Sequence, residues 1–220
     1  MSALANTLRA IAGKAAEHDA CLVAFSGGKD SLVTLDLCAA AFRRVEIFTF
    51  HHVRGVPVLE EAVAAAVARW GVKSHWFHYL DAVYAKANGD FCFPVQALAD
   101  VPEIDLAGYY DFIRQETGIP LIATGCRSKD FWQRAQMIRA GTLPGWHPIA
   151  DWSKHDVLAH LANKRIPLPP NSHERTNGVS LATSSVLWLY DHCREGYEAL
   201  RREFPFIEAI VWRRVWHGVS

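Results

Sequence analysis

Four short apolar runs punctuate the first 125 residues: 21–26 (CLVAFS), 45–50 (VEIFTF), 74–79 (SHWFHY) and 120–125 (PLIATG). Most are rich in β-branched or aromatic side chains, and turn formers bound them, as expected of buried strands. Between them the apolar positions recur at helical spacing. Residues 29–43 are nearly all apolar after the first turn, which predicts a helix covered by neighbours. Residues 57–70 start with Pro57 at a first helical position and carry Val58, Ala62, Ala66 and Trp70 on one stripe. Residues 105–117 place Leu106, Tyr109, Tyr110 and Ile113 on one face. Strands alternating with helices predict right-handed crossovers and a parallel sheet. A last strand is expected near His147-Pro148-Ile149, followed by a helix over about 153–163.

The pattern then changes. Residues 164–181 (KRIPLPPNSHERTNGVSL) read as a loop rich in Pro, Asn and Ser. A long helix follows, with Val186, Tyr190, Cys193, Tyr197 and Leu200 on one stripe. The tail (FPFIEAIVWRRVWHGVS) is aromatic and basic. This divides the chain into a sheet domain over 1–165 and a C-terminal helical appendage over 166–220. The stripe suits packing on the chain's own sheet, or a two-helix seam in a homodimer.

Composition narrows the class. The chain has 220 residues, half of them hydrophobic. A chain this long buries roughly 70% of its unfolded surface, enough for one substantial core. Lys plus Arg equal Asp plus Glu at 23 each, which argues against a DNA-coating protein or a polybasic membrane binder. The cysteines Cys21, Cys38, Cys92, Cys126 and Cys193 are odd in number and form no CxxC, so a reducing cytoplasm is the expected compartment. No apolar run has the length of a membrane span. The Ala-rich N-terminus lacks a continuous apolar stretch and reads as a surface helix, not a signal peptide.

The strongest chemical signal is Ser26-Gly27-Gly28-Lys29-Asp30-Ser31, between an apolar strand and a helix start. Two glycines let backbone N–H groups approach a ligand closely. A helix beginning near Lys29 aims its positive end and unpaired N–H groups at the same place. Ser26 and Ser31 add hydroxyls and Lys29 a cation. Asp30 would hold Mg²⁺ carried by a nucleotide, or cap the helix. The loop is neither the GxxxxGK[ST] nor the GxGxxG pattern. Arg127, Lys129 and Arg134 follow the fourth strand and can face this cradle. Arginine suits phosphate or sulfate because its planar fork gives paired charged hydrogen bonds. If 128–139 is helical, Arg127 and Arg134 lie two turns apart on one face.

The SGGKDS hexapeptide in this setting resembles the PP-loop superfamily of adenine nucleotide α-hydrolase-like proteins. Residues 125–134 (GCRSKDFWQR), with Gly125, Arg127 and Arg134, and the stretch HPIADWSKHDVL through Ile166-Pro-Leu-Pro-Pro170 are similar to the phosphoadenylylsulfate (PAPS) reductase-like family within it. Together the three segments span roughly residues 20–175. The resemblance implies a five-stranded parallel Rossmann-like sheet of order 3-2-1-4-5 with helices on both faces. It also implies a nucleotide (ATP, or PAPS/APS) across the carboxyl ends of strands 1 and 4. Phe50 and His51, with His52, end strand 2, where the family contacts adenine and ribose.

The chain departs from the reductases of that family. It ends in RRVWHGVS, without the Glu-Cys-Gly-(Leu/Ile)-His tail that carries their redox cysteine, and no cysteine follows Cys193. No paired cysteines suggest an iron–sulfur cluster. The eleven histidines are not spaced as a metal site. The expected activity is ATP cleavage between the α- and β-phosphates, with adenylyl transfer to an anionic acceptor. Catalysis would rest on Lys29, Asp30, Arg127 and Arg134. One alternative is a PAPS or APS reductase using Cys126 or Cys92. Another is a silent nucleotide-binding subunit needing a partner, docked through the aromatic tail. That tail is also a candidate contact for nucleic acid through stacking and charge.

Overall fold

The computed structural model describes residues 3–168 and 179–218. In chain order the elements are α1 (Ala3–Glu17), β1 (Ala20–Ala24), α2 (Lys29–Ala39), β2 (Arg44–His51), α3 (Pro57–Trp70), β3 (Lys73–His78), α4 (Leu80–Asn88), α5 (Leu106–Thr117) and β4 (Ile122–Ala123). Then follow α6 (Trp132–Ala140), α7 (Lys154–Asn163), α8 (Thr183–His192), α9 (Arg194–Glu203) and α10 (Glu208–His217). The contacts gather into two compact units. The first takes Met1–Thr49, Ala65–His75 and Ile104–Pro169, and the second Phe50–Ala64, Trp76–Glu103 and Pro170–Ser220. Residues 50–64 and 76–103, which the sequence division assigns to the sheet domain, gather with the C-terminal helices in the second unit.

The sheet has four strands in the order β3-β2-β1-β4, and β1 is parallel to both neighbours. Leu22 faces Glu46 on one side and Ile122 on the other, and Val23 faces Ile47 and Ala123. The chain leaves β1 toward β2 but returns on the other flank as β4, so the carboxyl end of β1 lies at a topological switch point. The expected fifth strand at His147–Ile149 does not form. A single parallel bridge joins Ala123 to Trp146, with Thr124 N donating to Trp146 O and Trp146 N to Ile122 O. Pro148 has no N–H to extend that ladder, which ends the pairing.

The first unit's core lies on β1, β2 and β4 and the helices around them. Leu22, Ile47, Ile113, Ile122, Ile149 and Trp152 are all buried. The expected face of α5 is buried at Tyr109, Tyr110 and Ile113, while Leu106 is exposed. Trp152 Nε1 donates to Thr7 Oγ1 at 2.9 Å, and Thr7 Oγ1 donates to Pro148 O at 3.1 Å, which ties α1 to the segment before α7. Asp36 on α2 lies 2.8 Å from His160 Nε2 and accepts from Trp70 Nε1 at 3.2 Å. Burial alone would raise its carboxyl pKa, but those hydrogen bonds hold it below the usual value. α7 opens on a reciprocal capping box between Ser153 and Asp156.

In the second unit Val53, Val56, Ala82, Ala85, Val186, Leu189, Tyr197, Leu200 and Phe204 form one buried cluster. The long helix of the sequence reading is two helices. The backbone leaves helical geometry at Cys193, with φ −144° and ψ 72°. The stripe is thus consumed inside the unit: Val186, Tyr197 and Leu200 are buried. Trp212 and Trp216 are exposed and stack on each other, centroids 5.9 Å apart, while Arg214 forks onto Asp191. Among the described residues no helix is long and apolar enough to cross a membrane. The Pro-rich part of the loop, 169–178, lies outside the described residues.

Candidate functional site

β1 ends at Ala24, and Phe25 N still donates to Phe48 O at 2.8 Å, so the following loop leaves from a fixed point. Gly27 has φ +73°, a left-handed conformation that favours glycine. Gly28 then caps α2 in extended geometry with no side-chain hydrogen bond to the first turn. The opening N–H groups of α2 therefore lack the usual Ser, Thr or Asp partner. Ser31 Oγ donates instead to Gly28 O at 2.8 Å, and Ser26 Oγ lies 3.4 Å from both Gly28 N and Ser31 Oγ. A Cβ on Gly28 would meet only Ser26 Oγ at 3.4 Å, so packing does not demand glycine there. A bare Cα leaves the amides open to a ligand.

Gly125, after β4, is different. A Cβ there would lie 2.8 Å from Asp30 C and 2.9 Å from Ser31 N, inside the backbone of α2. The loop after β4 thus presses against the start of α2, and only glycine permits it. That contact brings the second charged segment to the cradle.

The charges there form a ladder. Lys29 Nζ lies 2.7 Å from Asp30 Oδ2, and Arg127 Nε lies 2.9 Å from Asp30 Oδ1. Arg127 Nη2 donates to Asp130 Oδ1, and Arg134 Nη1 donates to Asp130 Oδ2 at 3.0 Å. Arg127 is buried, at 5% exposure. It does not sit on a helix with Arg134 as the spacing suggested. Residues 128–130 form a turn, α6 starts at Trp132, and Asp130 joins the two arginines. The cations are therefore largely compensated within the protein. Lys129 is exposed, and its charge helps to lower the Asp156 carboxyl pKa. Arg127 Nε and Asp30 Oδ1 form a buried ion pair without an aligned hydrogen bond, despite their short separation.

Asp30 would take a nucleotide-borne Mg²⁺ only after one of the ladder's cations is exchanged for ligand. Both of its oxygens already face cations, and among the described residues no three His, Cys, Asp or Glu side chains converge as metal ligands.

Phe50 and His51 are placed in the second unit. His51 lines a cavity of about 590 Å³ with His52, Arg54, Trp76, His78 and Lys86. Its ring centroid is 4.4 Å from that of His78, and Arg54 Cζ lies 3.9 Å from the Trp76 ring centroid. Burial, then the charges of His78 and Arg54, push its pKa down to about 4. Phe50 packs on Tyr79. The cysteines separate clearly. Cys21, Cys38 and Cys92 are buried, and burial raises the Cys92 thiol pKa. Cys126 is half-buried, and its N–H donates to Thr124 Oγ1.

The sequence reading missed Asp130, although its spacing, three after Arg127 and four before Arg134, is a legible signal. It also missed the contact of His147 Nδ1 with Thr124 Oγ1 at 2.7 Å.

A strand, a diglycine turn and an uncapped helix at a switch point define an α/β protein of the PP-loop class. Residues 20–171 match the phosphoadenosine phosphosulfate reductase domain, and the chain belongs to that family. Among solved structures it is similar to an NH3-dependent NAD synthetase of Campylobacter jejuni in complex with the nitrate ion. The TM-score is 0.53 at 14% identity, covering 100% of this chain and 98% of that one. It is also similar to a phosphoadenylyl-sulfate (PAPS) reductase of Candida auris in a phosphate complex. Here the TM-score is 0.46 at 16% identity, covering 74% of this chain and 81% of that one. A comparison with curated protein sequences finds no match. At these identities the synthetase likeness speaks for the fold alone.

Two outcomes follow from the geometry. Gly125→Ala should destabilise the fold by about 1–3 kcal/mol in chemical denaturation, because backbone must move. Gly28→Ala should leave the denaturation midpoint nearly unchanged yet weaken pyrophosphate binding. Equal midpoints for both variants would refute the assignment. The second outcome concerns His51, whose folded pKa lies below its unfolded value. The folded state resists protonation, so stability is full above about pH 6.5 and falls as the pH drops toward 4, by about 2–3 kcal/mol in total. The stability difference between wild type and His51→Gln should shrink across that window. A pH-independent difference would show that His51 does not titrate as described.

Proposed function

We propose that this chain binds ATP and cleaves it between the α- and β-phosphates, passing the adenylyl group to an anionic acceptor. The observation that carries the reading is the uncapped, diglycine-led start of α2 at the carboxyl end of β1, with buried Arg127 beside it. Backbone N–H groups of residues 28–31 and the Lys29 ammonium would hold the β- and γ-phosphates. Ser26 and Ser31 would add hydroxyl donors. Arg127 and Arg134 would hold the α-phosphate and the approaching acceptor, with Gly125 setting the distance.

An acceptor oxygen attacks the α-phosphorus, the bond from that phosphorus to the bridging oxygen breaks, and the electron pair leaves with pyrophosphate. An acceptor that is already an anion needs no general base. Rate then comes from positioning and from donors aimed at the charge that develops on the leaving group. Lys29 must exchange the Asp30 carboxylate for phosphate during binding, since it is tied to Asp30 at 2.7 Å in this arrangement.

One observation favours a second reading, a sulfonucleotide reductase. Cys126 is half-buried and immediately precedes Arg127. Cys92 does not serve that reading, because it is buried.

Incubation of the protein with α-labelled ATP and sulfate, with and without Mg²⁺, tests the proposal. The expected result is labelled AMP or an adenylylated product together with pyrophosphate. Sulfite release from PAPS in the presence of thioredoxin, abolished by Cys126→Ser, would overturn it in favour of the reductase. Tight ATP binding with no turnover under any acceptor would overturn the catalytic part and leave a binding subunit.

A further inference from the structure

Arg127 and Arg134 are like charges, and two guanidinium groups repel when they are brought to one place. One carboxylate resolves this. Asp130 spends one oxygen on Arg127 Nη2 and the other on Arg134 Nη1. The side chains of Arg127, Asp130 and Arg134 are 6%, 19% and 35% exposed, so the bridge runs from the buried end of the ladder to its open end. The two arginines come from different elements: Arg127 precedes the turn and Arg134 lies on α6. Without the bridge nothing on their own backbones would aim them together. Arg134 has only the Phe131 ring as a second described support, 5.3 Å from its Cζ. Each guanidinium keeps N–H donors that Asp130 does not occupy.

We propose that Asp130 is a positioning residue. It ties Arg127 and Arg134 into one paired receptor, so that their remaining donors converge on a single oxyanion of the phosphoanhydride or of the acceptor. The inference rests on the reading that these arginines face the ligand. Its electrostatic sign makes it distinctive. A carboxylate that merely stood near an anion site would repel the anion, so neutralising it would tighten binding. A carboxylate that aims two arginines does the opposite, and neutralising it weakens binding.

The test is calorimetric binding of α,β-methylene-ATP, whose α-phosphate the two arginines would hold, to the full chain. Wild type, Asp130→Asn, Asp130→Glu, Arg127→Ala, Arg134→Ala and the Asp130→Asn/Arg134→Ala double variant are compared, each checked for its melting temperature. Asp130→Asn should weaken binding by about tenfold or more, the scale of one charge-assisted hydrogen bond, even where its melting temperature equals that of wild type. Asp130→Glu should recover part of that loss. The loss caused by Asp130→Asn should also be smaller in the Arg134→Ala background, because one of the two residues it acts through is gone. Unchanged or tighter binding by Asp130→Asn would overturn the proposal. If Arg127→Ala and Arg134→Ala both bind the analogue as wild type does, the anion site itself is misassigned and the proposal falls with it.

Discussion

The first turn of α2 presents backbone N–H groups that no side chain caps, and the loop after β4 is pressed against that turn. Gly125 makes the approach, since a Cβ would lie within 3 Å of the α2 backbone at Asp30 and Ser31. This single close contact joins the two segments on which the candidate chemistry depends. It places Arg127 next to Asp30, and through Asp130 it brings Arg134 to the same ladder. The β1–β2 and β1–β4 pairings fix the two segments independently, so the contact is set by the sheet and not by loop preferences alone.

The ladder also changes how the site's electrostatics are to be understood. Counted from the sequence, Lys29, Arg127, Lys129 and Arg134 suggest a strong local positive field. In the fold, Asp30 and Asp130 interleave with three of these cations, Lys29, Arg127 and Arg134. A buried arginine needs such partners, because an unpaired buried charge is costly. Ligand binding is then an exchange: an incoming anion takes over partners now held by carboxylates. Exchange of this kind favours ligands with several closely spaced negative oxygens, which a single carboxylate cannot match.

Much of this was legible in the sequence. The apolar runs located β1 and β2, the Pro57 start and the Trp70 end of α3 match the structure, and SGGKDS spans the turn from β1 into α2. Other features were hidden for physical reasons. The fifth strand failed because Pro148 cannot donate to a ladder, which alternation of apolar residues does not reveal. The break at Cys193 was invisible because the apolar stripe continues in phase across it. The grouping of residues 50–64 and 76–103 with the C-terminal helices depends on packing far apart in the chain. Asp130 was overlooked because an acid among basic residues reads as a solvated surface until its two partners are seen.

Burial holds the pKa values of His51 and His78 below the usual imidazole value, and the exposed Trp212–Trp216 stack remains outside the second unit's core. The central claim concerns the first unit, that the start of α2 is an anion cradle. Amide chemical shifts of residues 27–31, followed by NMR as a non-hydrolysable ATP analogue is added, test it most directly. Saturable shifts are expected at these amides and at Arg127 Nε–H. Saturable binding that leaves these signals in place while others move would contradict it.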